Sequence, residues 1–186
     1  GAGMTVSGAT LTVDPSDATY QSLGEGETTE IVVNFDVVDV SGGSVPQTAT
    51  ITIAGTNDAP TVAAALSASA AEDSAAFTVD LLAGASDVDD GEAVTLSVAN
   101  VTGLGAGMTV SGATLTVDPS DATYQSLGEG ETTEIVVNFD VVDVSGGSVP
   151  QTATITIAGT NDAPTVAAAL SASAAEDSAA FTVDLL

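Results

Sequence analysis

The acidic side chains of this chain are gathered into short motifs between apolar segments. They occur as Glu72-Asp73, Asp87-Val-Asp89-Asp90-Gly-Glu92, Asp118-Pro-Ser-Asp121, Glu129-Gly-Glu131 and Asn161-Asp162, and Asp140 and Asp143 flank the end of an alternating apolar run. Oxygen-only donors in this density suit a hard cation. Ca²⁺ takes about 6–8 oxygens from carboxylates, Asn side chains and backbone carbonyls, and needs neither His nor Cys. Mg²⁺ demands tighter octahedral geometry and fits loop-borne carboxylates less well. The 186 residues carry 26 acids and no Lys, Arg or His, for a formal charge of −26. No side-chain salt bridge can form within such a chain. Every carboxylate must be solvated, hydrogen-bonded or bound to a cation. A single Asp in a turn needs no explanation beyond turn chemistry, but several close carboxylates cannot all stay ionised in a dry site without a counter-charge.

The same composition excludes whole classes of function. A polyanion without bases cannot hold nucleic acid through its phosphates and is repelled by an anionic membrane surface. There is no Cys for thiol chemistry or disulfides and no His as a general base, so an enzyme is not expected and the cofactor expected is Ca²⁺ alone. A carboxylate pair could in principle hydrolyse a glycoside, but nothing in the sequence suggests a pocket. No run of about 18 apolar residues marks a membrane span. Hydrophobic residues make up 44% of the chain and alternate in strand-like runs, unlike a disordered acidic tail. Asp87-x-Asp89-Asp90-Gly resembles the first half of an EF-hand loop. The bidentate Glu at loop position 12 is missing and both flanks read as strands, so a helix–loop–helix site is rejected.

The elements that must position these acids follow from a repeat. Residues 1–82 recur without change as 105–186, an offset of 104 residues. That period is too long for a solenoid unit of about 20–50 residues and suits one whole immunoglobulin-like domain of about 100. Gly-Thr-Asn-Asp-Ala-Pro, at 55–60 and again at 159–164, punctuates the chain as a linker, since Gly and Pro break elements and the residue before Pro is extended. The frame is therefore 1–60 as the back part of one repeat, 61–164 as a complete repeat, and 165–186 as the opening of the next.

Period-2 alternation predicts about seven strands in the complete repeat. Strand A lies near 61–70. Strand B is 77–82, with Phe77, Val79 and Leu81 inward. Strand C is 93–99, with Val94, Leu96 and Val98 inward. A hairpin over Ser111-Gly112 joins 108–111 to 114–117. Strand F is 134–142, with Ile135, Val137, Phe139 and Val141 on one face, and strand G is 151–158, with Ala153, Ile155 and Ile157 inward and Thr152, Thr154 and Thr156 outward. Tyr124, just before strand F, resembles the tyrosine corner of immunoglobulin-like sandwiches. The expected fold is all-β: tandem Greek-key β-sandwich domains with small aliphatic cores, which need a staple other than disulfides.

In order, the repeat resembles a cadherin-type domain: a Glu before strand B (Glu72), an acidic loop before strand F (Glu129, Glu131), Asp-x-Asp before strand C (Asp87, Asp89), an Asp after strand F (Asp143), and Asn-Asp ahead of a linker Pro (Asn161-Asp162 before Pro164). The resemblance implies calcium between consecutive domains. The junction at Pro60 would draw on Glu25 and Glu27, on Asn57 and Asp58, and on Asp87, Asp89, Asp90 and Asp143. The junction at Pro164 would draw on Glu72, Glu129, Glu131, Asn161 and Asp162. Asp118 and Asp121, with their copies Asp14 and Asp17, either hold an ion inside the domain or cap a turn. The linker lacks further acids of the cadherin pattern, which leaves the number of ions per junction open.

The Gly-Thr-Asn-Asp-Ala-Pro ending, the period of 104, the absent bases and the unchanged copying are together similar to the extender repeats of giant secreted bacterial RTX adhesins, ice-binding (antifreeze) adhesins among them. That resemblance implies a secreted array on the bacterial cell surface, stiffened by calcium and holding a distal ligand- or ice-binding domain away from the cell. It makes neighbouring identical repeats and calcium ions the partners, in a monomeric filament-like array. The alternative is that the repeat is itself the ice-binding or homophilic adhesion module.

Overall fold

The computed structural model describes residues 3–89, 95–166 and 168–185. It is all-β, as expected. The first partial repeat supplies β1 (Met4–Ser7), β2 (Thr10–Val13), β3 (Thr28–Val38) and β4 (Ser44–Ala54). The complete repeat supplies β5 (Thr61–Val62), β6 (Leu66–Ala71), β7 (Phe77–Asp80), β8 (Ala85–Ser86), β9 (Ser97–Thr102), β10 (Met108–Ser111), β11 (Thr114–Val117), β12 (Thr132–Val142) and β13 (Ser148–Ala158). Two sheets of the complete repeat, ordered β6-β13-β12-β9 and β10-β11-β7, face each other, and β5 pairs with β8.

The core is the inward half of this alternation. Leu81, Leu115, Val117, Val137, Val141, Ala153, Ile155 and Ile157 are shut off from solvent, with Met108, Tyr124 and Phe139 beside them. Each large aliphatic contributes about 1.5–3 kcal/mol by leaving water. The β12–β13 hairpin spans eleven residues a strand, in register from Thr132↔Ala158 to Val142↔Ser148. Both strands start earlier than the alternation predicts. Pro150 lies within β13, beyond the stretch that β6 covers, on an edge where proline is tolerated.

Three local expectations are corrected. Strand A is two pieces, because β5 pairs antiparallel with β8 whereas β6 crosses to run parallel to β13. The break is held by Gln151, whose side-chain amide donates to the Ala64 carbonyl at 2.7 Å. Strand C is β9 and runs on to Thr102. Asn100 takes a φ of 53° there, opposite a register shift between Asn138 and Asp140. Leu96 and Val98 pack on the core as expected, while Val94 lies outside the described residues. The β10–β11 turn is Gly112-Ala113, closed by Ser111↔Thr114; it sits one residue later because Gly112, at φ 58°, takes the first central position of a two-residue turn.

Tyr124 is a corner of a different reach. Its hydroxyl donates to the Ala106 carbonyl at 2.7 Å, tying the loop before β12 to the segment entering β10. Burial, and then the charge of Asp121, pushes its pKa up from 10.0. With a raised folded-state value, the neutral phenol's contribution is complete below 10.0 and is lost as pH rises through the folded value. Tyr124→Phe should therefore cost about 1 kcal/mol at neutral pH and flatten the alkaline decline in stability. Urea midpoints of the two proteins between about pH 8 and pH 11 check this.

Candidate metal site at the repeat junction

At Pro60 the linker is laid against two loops of the complete repeat. The Asp58 backbone N–H donates to Asp89 Oδ2 at 3.0 Å, and Asn57 Nδ2 donates to Asp143 Oδ2 at 3.2 Å. Asp89 in turn donates its N–H to Asp87 Oδ1 at 3.1 Å. Asp143 folds its own loop by accepting from the N–H groups of Ser145, Gly146 and Gly147 at 2.8, 2.6 and 2.8 Å. A Cβ at Gly147 would strike Asp143 Oδ2 and Asn57 Nδ2, so a larger residue there would push both aside. The structure thus brings Asn57, Asp58, Asp87, Asp89 and Asp143 to one place, although Asn57 and Asp143 are 86 residues apart.

Their remaining oxygens are the notable feature. Asp89 is 2% exposed and Asp143 7%, in a chain without a cationic side chain. Asn57 Oδ1, Asp87 Oδ2 and Asp89 Oδ1 are buried and accept no hydrogen bond. Buried polar atoms are nearly always partnered, and buried charges are paired or coordinate a metal. The donor set is all oxygen and strongly negative, so it fits Ca²⁺. It is not a finished cage: among the described residues no three acids are closed into a metal-holding group. Asp90, expected to contribute, lies outside the described residues. Glu25 and Glu27 are exposed. Glu27 Oε2 accepts the Gly24 N–H at 3.1 Å, and its carbonyl takes the Gly55 N–H at 2.9 Å, which ties it to the linker through backbone only.

The Pro164 junction shows the opposite half of the arrangement. Glu72 is fully buried. Its Oε1 accepts the Thr160 N–H at 2.7 Å, and Thr160 Oγ1 donates to Asp73 Oδ2 at 2.7 Å. Gln125 Nε2 holds the Glu72 carbonyl at 3.2 Å. Glu72 Oε2 is a fourth buried oxygen without a partner. Glu131 accepts the Gly128 N–H at 2.8 Å, and Glu129, Glu131, Asn161 and Asp162 remain exposed. Thr160, Gln125, Asp73 and Gly147 belong to the junctions without having been singled out as site residues. Only Asp73 carried a usable signal, as part of the acidic Glu72-Asp73 motif.

Asp118 and Asp121 head successive turns. Asp118 Oδ1 accepts the Ser120 N–H and hydroxyl at 3.1 and 2.7 Å, and Asp121 Oδ1 accepts the Thr123 N–H at 2.9 Å. The Thr123 backbone and side-chain bonds hold the Asp121 carboxyl below its usual range. Asp14 and Asp17 do the same with Ser16 and Thr19; Asp17 is lowered first by the Thr19 hydroxyl.

The family model of the cadherin-like domain matches residues 56–158, more than half of the chain. No curated protein matches. Among solved structures, mouse cadherin-23 EC22–24 is 16% identical over 81% of this chain and 45% of its own, with a TM-score of 0.44. Mouse clustered PcdhgC3 EC1–3 is 12% identical over 79% of this chain and 48% of its own, with a TM-score of 0.45. The chain spans less than half the length of either. No helix among the described residues is long and apolar enough to cross a membrane. On the match over 56–158, the chain belongs to the cadherin-like domain family.

Proposed function

We propose that this chain is a calcium-stiffened spacer of an extracellular adhesin, in which the ion binds at the linkers and keeps successive repeats from flexing. The observation that carries this reading is the set of buried, unpartnered oxygens at the Pro60 linker: Asn57 Oδ1, Asp87 Oδ2 and Asp89 Oδ1. Asn57 and Asp58 come from the linker, Asp87, Asp89 and Asp143 from the repeat behind it, and Glu72 with Asn161 and Asp162 serve the next linker. Calcium supplies there the positive charge that the chain lacks. Asp118 and Asp121 serve as turn caps, which their Ser120 and Thr123 bonds support. The setting that suits identical copies with no bases is a secreted bacterial surface protein of the RTX type, with a ligand- or ice-binding domain at its far end. Ice binding by the repeat itself is less favoured, because Thr152, Thr154 and Thr156 are half-buried in β13 between β6 and β12. No catalytic role is proposed.

Weak extracellular calcium modules bind at about 10⁻⁴–10⁻³ M. At about 10 mM calcium such a site stabilises by about 1.4–2.7 kcal/mol, a rise of roughly 5 °C in Tm. Calorimetry should show calcium uptake in that range, and EDTA should lower the Tm and shorten the particle in X-ray scattering. An unchanged Tm and scattering profile would sink the reading.

A further inference from the structure

Asn100-Val101-Thr102 is the only Asn-x-Ser/Thr triplet in the chain. This triplet is the acceptor pattern for attaching a sugar to an Asn side chain, and it marks surface segments of secreted proteins. The pattern alone arises by chance in a Thr-rich chain, so its placement has to carry the weight. It closes β9, the edge strand of the sheet β6-β13-β12-β9. Asn100 and Thr102 are both exposed. From Asn138↔Thr102 to Asp140↔Ala99, β9 advances three residues while β12 advances two. The extra residue makes β9 bulge outward at the triplet. Asn100 takes up the bulge with its φ of 53°, a conformation that Asn adopts more readily than most residues. Gly103 follows at φ 79°, where a Cβ would strike the Val136 carbonyl. The triplet therefore lies on a bulged strand end, on the open side of a sheet, where an enzyme can reach side chain and backbone together.

The Asn100 amide is held in a defined direction. Its Nδ2 donates to Asp140 Oδ2 at 2.6 Å. Phe139 and Val141 face the core, so Asp140 between them faces outward and draws the amide along the outer face of the sheet. A primary amide has two N–H donors, and this bond uses one of them. Beside it opens a cleft of about 380 Å³ whose lining includes Asn100, Asn138, Asp140, Pro150 and Thr152. That volume lies in the range that takes a small ligand. Asn138, Asp140 and Thr152 offer donors and acceptors to hydroxyl groups, and Pro150 offers an apolar wall. None of the junction oxygens lines this cleft.

We propose that Asn100 is a glycosylation site, and that the sugar on its Nδ2 lies over the cleft between Asn138, Asp140 and Pro150. The donor is a glycosyl phosphate, carried on a nucleotide or on a lipid. Nδ2 forms a bond to the anomeric carbon of the sugar, and the bond from that carbon to the phosphate oxygen breaks. The electron pair of the broken bond leaves with the phosphate. One Nδ2 proton passes to a base of the transferase, and no oxidant or reductant is needed. The amide lone pair is shared with its carbonyl, so the nitrogen is a weak nucleophile and the step requires that enzyme. The Thr102 hydroxyl is the group that the enzyme reads beside the acceptor. One N–H stays on the substituted nitrogen, so the bond to Asp140 survives attachment and fixes the first sugar at the cleft. The proposal is independent of the calcium reading, because it uses no residue of either linker.

Mass spectrometry of the chain isolated from the cells that produce it tests this. The chain has no Lys or Arg, so it is cut after glutamate, and Glu92 and Glu129 bound the peptide that contains Asn100. That peptide should carry a sugar adduct, and fragmentation should place it on Asn100. Thr102→Val should abolish the adduct and Thr102→Ser should keep it, while both leave the thermal melt of the complete repeat unchanged. Asn100→Gly, which keeps the positive φ, should also lose the adduct. A single hexose identifies a nucleotide-linked donor and a preassembled oligosaccharide a lipid-linked one, and either upholds the site. An unmodified peptide from the producing cells overturns the proposal, as does an adduct that persists in Thr102→Val or in Asn100→Gly.

Discussion

Asp89→Asn should shift stability in opposite directions with and without calcium. The side chain is buried, its Oδ2 accepts the Asp58 N–H and its Oδ1 has no partner. Asparagine keeps a carbonyl for Asp58 and removes one charge. In EDTA that charge is a burden, because the chain offers no cation and Asp87 and Asp143 stand close by. Removing it should raise stability by about 1–2 kcal/mol, as expected when an uncompensated buried charge is taken away. In calcium the same substitution removes a charged ligand. Affinity should fall about 10- to 100-fold, or about 1.4–2.8 kcal/mol, and stability should fall with it. Urea midpoints in the two buffers read both signs. A loss of stability in both would mean that Asp89 only accepts the linker hydrogen bond. Asp118→Asn, at a turn engaged with Ser120, should show no calcium-dependent difference.

The contrast between those two aspartates marks how far the sequence could be read. Strands β12 and β13 were legible because Ile135, Val137, Phe139, Val141 and Ala153, Ile155, Ile157 alternate cleanly, and one face of a half-buried sheet imposes that period. Strand A was not. Ala63-Ala64-Ala65 has no alternation to mark where a strand changes sheets, and the Gln151 amide that holds the break comes from a residue 87 positions away. The extension of β9 depends on Asn100 adopting a left-handed conformation, which side-chain pattern alone does not signal. At the junction, spacing and resemblance together marked Asn57, Asp58, Asp87, Asp89 and Asp143, which the structure places side by side. Which oxygen of each points inward is a property of the assembled loops. Gly147 and Thr160 are common residue types whose part at the junctions appears only when the linker lies across them. Asp118 and Asp121 looked equally suited to an ion or a turn, and their bonds to Ser120 and Thr123 are made by the assembled turns, which residue type alone does not reveal.

The second large effect uses the repeat as its own control. Phe139→Ala should cost about 3–5 kcal/mol, the usual loss for truncating a buried aromatic, or roughly 10 °C in Tm. Phe35→Ala, in dilute solution, should cost less than about 1 kcal/mol, in the range of substitutions outside a core. The two phenylalanines have the same flanking sequence and pair across the same hairpin register, Phe35↔Gln47 and Phe139↔Gln151. Strand propensity and local sequence therefore cancel. What remains is the opposing sheet, which among the described residues covers Phe139 and not Phe35. Thermal melts followed by circular dichroism at low concentration give both values, and equal costs would mean that the first hairpin is covered even in the dilute chain.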